Sequence, residues 1–287
     1  MADTHSGYYV PHGSHWPIIG SVGLSSGVVG AAGFLQGLSW GPYVMAIGIA
    51  ILLYMVFGWF GTVIRESVSG YYNSQVDTSF RWGMIWFIFS EVMFFAAFFG
   101  ALFYARVLSV PWLGGADALT SKFIWDAIPL SWPTAGPGNT GLEFEAMAAW
   151  PIPTFNTLIL LSSGVTITIA HHALKAAHRG KLVLFMIATV LLGAAFLALQ
   201  AYEYHEAYTQ MNLTLGTGIY GSTFFMLTGF HGLHVTLGTI MLIVITLRCM
   251  KGHFSADNHF GFEAVAWYWH FVDVVWLGLY LFVYVLA

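Results

Sequence analysis

The chain has 287 residues, of which 58% are hydrophobic, 17% aromatic and only 8% charged, with a formal net charge of −4. Soluble domains carry about 25% charged residues, so this composition excludes a soluble globular fold and makes the membrane the solvent for most of the chain. A single cysteine, Cys249, excludes a disulfide scaffold and any thiolate metal cluster built within the chain.

The opening segment MADTHSGYYVPHGSHWP has no basic residue ahead of an apolar core and no small-residue cleavage pattern. No signal peptide is expected, and the first helix directs insertion. About 20 apolar residues cross a hydrocarbon core of about 30 Å. Seven stretches reach that length: 17–38, 41–64, 83–108, 154–176, 182–204, 217–247 and 263–286. The expected fold is therefore all-α, a polytopic protein of seven transmembrane helices. The first span contains Gly23 with Gly27 and Gly33 with Gly37 at GxxxG spacing, a pattern for close packing on another helix. The loop 109–153 is too rich in Pro and Gly to hold an eighth span. With the N-terminus inside, Arg65, Arg81, Lys175, Arg179, Lys181, Arg248 and Lys251 lie on the cytoplasmic side, against Arg106 and Lys122 outside. Seven spans then put the C-terminus on the opposite side.

Glu91 lies nine residues beyond Trp82, about 13 Å along the helix at 1.5 Å per residue. At that depth an ionised carboxylate costs about 2.5 to 3.5 kcal/mol, so it must be protonated, paired or wet. Two readings fit it: a proton-exchanging site, or a neutral carboxyl that fixes helix packing. In the last span Glu263, His270 and Asp273 fall within about 80° on a helical wheel, one polar stripe on an otherwise apolar helix. That stripe reads as interior packing or as a proton relay. His231 with His234, and the adjacent His171 and His172, have a superficial metal spacing. A closed site needs further ligands at the same depth, so these are expected to be histidines bonded between helices or lining a headgroup pocket, and no metal is expected. Arg65, Glu66, Arg248, Lys251 and His253 sit at the ends of the second and sixth spans, with Trp59 about one and a half turns deeper, a placement that suits lipid headgroups and acyl chains or ordinary snorkelling and orientation signalling. His5, His12 and His15 make the N-terminal tail titratable near neutral pH.

The stretch HFGFEAVAWYWHFVDVVWLGLY (259–280) resembles the closing helix of cytochrome c oxidase subunit 3, and the resemblance runs along nearly the whole chain. HWPI, VIRES (63–67), RWGMIWFIFSEVMFF (81–95), FNTLILLSSGVTITIAHHAL (155–174), LQAYEYHEA (199–207) and GIYGSTFFMLTGFHGLHV (218–235) carry it in the family's order. The resemblance implies a two-helix pair (1–70) and a five-helix bundle (71–287) with a phospholipid-holding V-shaped cleft. It makes Glu91 the family's intramembrane glutamate, and Trp59, Arg65, Glu66, Glu91 and Arg248 cleft-lining or headgroup residues. His5, His12 and His15 become candidate proton collectors. The sequence departs from the family's usual pattern at Gly100, Ala101 and Leu102, and at Tyr71 and Tyr72 after the second span.

The implied function is a non-redox subunit of a proton-pumping oxidase that passes electrons from cytochrome c to oxygen. It would contact subunit 1, lie in one complex with subunit 2, hold structural phospholipids and bind no nucleic acid. Haems and copper belong to partner subunits, and this chain alone binds no cofactor. The long 109–153 loop points to a bacterial oxidase in the plasma membrane, with the C-terminus in the periplasm. Alternatives are the equivalent subunit of a quinol oxidase, which HWPI, the Gly-rich first span and VIRES argue against, a stand-alone transporter, and a haem-bearing membrane cytochrome, which would require axial histidines.

Overall fold

A computed structural model describes residues 9–10, 13–139 and 141–287. Among them, seven helices are long and apolar enough to cross a membrane. They are α1 (Trp16–Leu35), α2 (Gly41–Val68), α3 (Ser74–Phe103), α5 (Ile152–Lys175), α6 (Arg179–Thr209), α7 (Gly218–Lys251) and α8 (Phe260–Leu279). A short helix, α4 (Ala118–Phe123), lies in the loop after α3. The third span runs on through π turns as far as Ala116, and α8 through one to Val285. The first two spans end at turn glycines with positive φ, Gly37 at 73° and Gly70 at 76°, a region that L side chains rarely adopt. Gly37 therefore serves the turn and not the helix contact that its GxxxG spacing suggests.

By contact pattern the chain divides into two compact units, residues 1–82 and 83–287. In the first unit, α1 and α2 form an antiparallel hairpin held at backbone contact distance. A Cβ added at Gly48 would run into the backbone of Gly27, and one at Gly30 into the backbone of Met45. At Gly33 it would stand 2.7 Å from the Trp40 ring. Helices in lipid gain no hydrophobic drive from meeting each other, so small residues that admit close van der Waals packing supply the attraction.

In the second unit, the rest of α3 and helices α5 to α8 enclose a core that includes Trp269, Trp276, Phe196, Phe224 and Tyr220, all at most 2% exposed. Helices α5 and α8 run antiparallel and are joined by polar bonds along their length. The Trp276 indole N–H donates to Thr157 Oγ1 at 2.9 Å and that of Trp269 to Ser163 Oγ at 2.8 Å, while the hydroxyls of Thr154 and Tyr280 bond at 2.8 Å. Ser163→Ala leaves a fully buried indole donor bare. It is expected to destabilise the bundle by about 1 kcal/mol, read as a lower thermal midpoint of the purified complex, with Ser162→Ala, an exposed neighbour on the same helix, as the unchanged control.

The loop after α3 is stitched to the bundle. Tyr220 N–H donates to Thr134 O at 3.2 Å and Glu145 N–H to Met211 O at 3.0 Å. Asp117 caps α4 by accepting from Thr120 N–H at 2.7 Å, and those bonds to its anionic form lower its pKa.

Candidate functional site

The bundle brings Glu91 of α3 to His234 of α7, with Glu91 Oε2 2.9 Å from His234 Nε2. The imidazole is orientated by its other nitrogen, 2.7 Å from the Phe230 carbonyl. A carbonyl can only accept, so Nδ1 carries a proton. The Glu91–His234 contact therefore contains one further proton, on the carboxyl or on Nε2, and the pair is neutral as a whole in either case. Phe94, Phe95, Tyr268 and Phe271 surround the imidazole with ring centroids 5.0 to 6.3 Å away. His231, one turn earlier on α7 and fully buried, does not join the pair. Its Nε2 donates to the Val272 carbonyl at 3.2 Å, and its ring lies 5.1 Å from that of Trp276.

The polar stripe of α8 faces α5 but splits into two places. Asp273 Oδ2 lies 3.5 Å from His270 Nδ1, and His270 Nε2 lies 3.3 Å from Thr168 Oγ1. Gly164 admits this carboxylate, because a Cβ there would stand 2.5 Å from Asp273 Oδ2. Glu263, at the other end of the stripe, meets His259 and His171. Its Oε1 lies 3.2 Å from His259 Nε2 and 3.4 Å from His171 Nε2, and the two nitrogens are 3.3 Å apart. His172 is exposed and takes no part in this cluster.

In the first unit Trp59 and Arg65 are exposed, and the Arg65 guanidinium donates to Thr62 Oγ1 at 3.1 Å. Both Glu66 oxygens are held by tyrosines, Oε1 by the Tyr9 hydroxyl at 3.1 Å and Oε2 by that of Tyr72 at 2.7 Å. Burial first, and then the Glu66 carboxylate, raise the Tyr72 hydroxyl above the ordinary tyrosine range. In the second unit Arg248 is buried at the end of α7, its guanidinium 4.3 Å from the centroid of Phe254. His15 is exposed and its ring lies tilted against that of its own neighbour Trp16, whereas His5 and His12 lie outside the described residues.

Two groups were not singled out by the sequence reading. Glu203, fully buried, accepts from the Tyr284 hydroxyl at 2.6 Å and from Gln200 Nε2 at 3.4 Å. Its signal was the Gln200–Glu203 spacing of three inside an apolar helix. His259 completes the cluster of Glu263, and its signal was the i, i+4 spacing of the two residues.

These features define a polytopic helical membrane protein in which interior polar side chains pair between helices at several points. No cluster among the described residues makes a complete redox centre. The sequence pattern of the family described as Cytochrome c oxidase subunit III matches residues 5–287. The chain is 41% identical over 278 residues to cytochrome c oxidase subunit 3 of Arabidopsis thaliana, covering 96% of this chain and 95% of that one. It is 42% identical over 272 residues to the Marchantia polymorpha protein, covering 94% and 93%. Against that of Hippopotamus amphibius it is 40% identical over 283 residues, covering 98% and 97%. The chain belongs to the cytochrome c oxidase subunit III family, and its role is that of a non-catalytic oxidase subunit in a membrane.

One expectation is corrected by these relatives. The 109–153 loop was read as the mark of a bacterial oxidase, yet the relatives are those of plants and vertebrates. Surface loops accept insertions at little cost in any lineage, so loop length does not carry that assignment. The bacterial type and the bacterial plasma membrane both fall with it, while the multi-pass membrane assignment stands.

Proposed function

We propose that this chain is the non-redox subunit of a proton-pumping cytochrome c oxidase that buttresses subunit 1, shares the complex with subunit 2, retains phospholipids and supports proton uptake. Cytochrome c is the electron donor to the complex, and the haems and copper lie in the partner subunits. The proposal includes the family's two-helix pair (1–70), five-helix bundle (71–287) and V-shaped phospholipid cleft.

The observation that carries the lipid role is Arg248. Its side chain is buried, yet Nε and Nη2 have no hydrogen-bond partner among the described residues. A buried guanidinium with unpaired donors calls for an anion, and at the end of a membrane helix a phospholipid phosphate has the matching charge. Exposed Trp59 and Arg65 at the end of α2 suit acyl-chain and headgroup contact. Glu66 contributes indirectly, since the two tyrosines already hold it. Glu91, with its shared proton, and the histidines His5, His12 and His15 are the groups through which the chain would assist proton uptake.

The test is mild-detergent isolation of the complex from native membranes, with the optical spectrum, the co-purifying subunits and bound phospholipid measured together. The expected result is recovery with a haem-copper subunit in equal amount. In Arg248→Gln the subunit content and haem spectrum are unchanged, and at least one phospholipid per complex is lost. Full lipid retention by that variant would remove the headgroup role. A colourless chain recovered without partners would overturn the whole reading.

A further inference from the structure

We infer that His171, His259 and Glu263 form a binding site for a zinc-class divalent cation that ties the end of α5 to the start of α8. The cluster is separate from the Glu91–His234 pair and from Arg248, and the proposed oxidase role makes no use of it. Its three donor atoms are His171 Nε2, His259 Nε2 and Glu263 Oε1. They stand 3.3, 3.4 and 3.2 Å from one another. Four ligands at about 2.0 to 2.1 Å around tetrahedral zinc are separated by about 3.3 to 3.4 Å. The triangle thus has the dimensions of one face of a zinc tetrahedron, with the fourth position left for water or another oxygen donor.

The orientation of the donors supports the same conclusion. His259 Nδ1 lies 3.0 Å from the Ser255 carbonyl and must donate to it. In the neutral imidazole, Nε2 then presents its lone pair to the triangle, the tautomer a metal ligand needs, fixed by a backbone carbonyl as second-sphere partners commonly do. Facing it, the Glu263 carboxylate also presents a lone pair. Two acceptors 3.2 Å apart repel unless a cation or a proton lies between them. His171 brings a third donor to the same point from a different helix, which one shared proton does not require.

The donor chemistry narrows the cation. Two imidazoles and one carboxylate suit zinc and neighbouring transition ions, whereas calcium and magnesium take oxygen ligands. His259 and Glu263 are buried, and His171 keeps a quarter of its side-chain surface exposed, which leaves a path of entry. The carboxylate offsets part of the divalent charge, and Lys175, one turn beyond His171, disfavours a second cation nearby.

The experiment uses the purified oxidase complex after washing with a chelator. It is titrated with zinc alone, and bound metal is counted by elemental analysis and examined by zinc-edge X-ray absorption. The expected result is one zinc equivalent per complex, bound through nitrogen and oxygen donors, that is absent in Glu263→Gln and at least tenfold weaker in His171→Asn. His172→Asn, beside the site but outside it, binds as the parent does. Subtracting the variants cancels zinc held by other subunits. If Glu263→Gln does not assemble, the partly exposed His171→Asn decides the matter. Equal zinc binding by the parent and His171→Asn would overturn the inference and leave the triangle as a proton-sharing cluster.

Discussion

Gly48→Leu is expected to prevent this chain from being recovered in the complex, while Gly61→Leu on the same helix leaves recovery unchanged. At Gly48 even a methyl group would occupy the space of the Gly27 backbone, whereas a Cβ at Gly61 meets nothing within 4 Å. The atoms in the way at Gly48 are main-chain atoms, which cannot swing aside as the end of a flexible side chain does. Overpacking a tight interface costs about 1 to 3 kcal/mol where neighbours can adjust, and here relief requires the whole of α1 to move away from α2. Separation breaks the remaining glycine contacts at Gly30 and Gly33 together, and with them the van der Waals packing that holds the hairpin in lipid. The check is the amount of this chain that co-purifies with the haem-bearing subunit, together with the thermal midpoint of what is recovered. Normal recovery of Gly48→Leu would show that α1 and α2 do not depend on backbone contact.

The seven spans were legible because hydropathy reports directly on the solvent each segment requires, and their number agrees with the structure. The ends were less legible where a helix leaves the hydrocarbon. The third span was read as starting at residue 83, but α3 begins at Ser74, since the polar turns SQVDTSFR are held by helical bonds that hydropathy does not register. At its other end the span carries on through π turns to Ala116, with the helical backbone broken at Gly115, where φ is 98°. Individual polar residues were also legible. Glu91 stood out by its depth, and Glu263, His270 and Asp273 by their common face. Their partners were not, because Glu91 and His234 are 143 positions apart and no local periodicity encodes such a distance. His171 shows the same limit. The pair with His172 is only superficial, since adjacent helical residues point about 100° apart, and the real companions, His259 and Glu263 at the start of α8, lie about 90 positions away.

Glu91→Gln and Glu91→Leu are expected to separate the proton held at this site from the packing it supports. With His234 Nδ1 committed to the Phe230 carbonyl, Nε2 needs a donor when the imidazole is neutral. A glutamine amide supplies one, so Glu91→Gln should assemble and hold within about 1 kcal/mol of the parent, while losing the carboxyl that shares a proton with the imidazole. Leucine supplies no donor and leaves Nε2 bare among Phe94, Phe95 and Phe271, a cost of about 1 to 3 kcal/mol. His234→Leu is expected to cost a similar amount by stranding the carboxyl. The double Glu91→Leu/His234→Leu chain has no polar group left to satisfy and is expected to recover most of that loss. The measurement is a thermal midpoint for each single and double variant of the purified complex, alongside turnover lifetime for Glu91→Gln. A double variant whose losses simply add would mean that the two residues act independently, and the shared proton would then have no energetic meaning. Recovery in the double variant, with a shortened turnover lifetime in Glu91→Gln, would mean that the pair is kept for its proton, because leucines serve the packing as well.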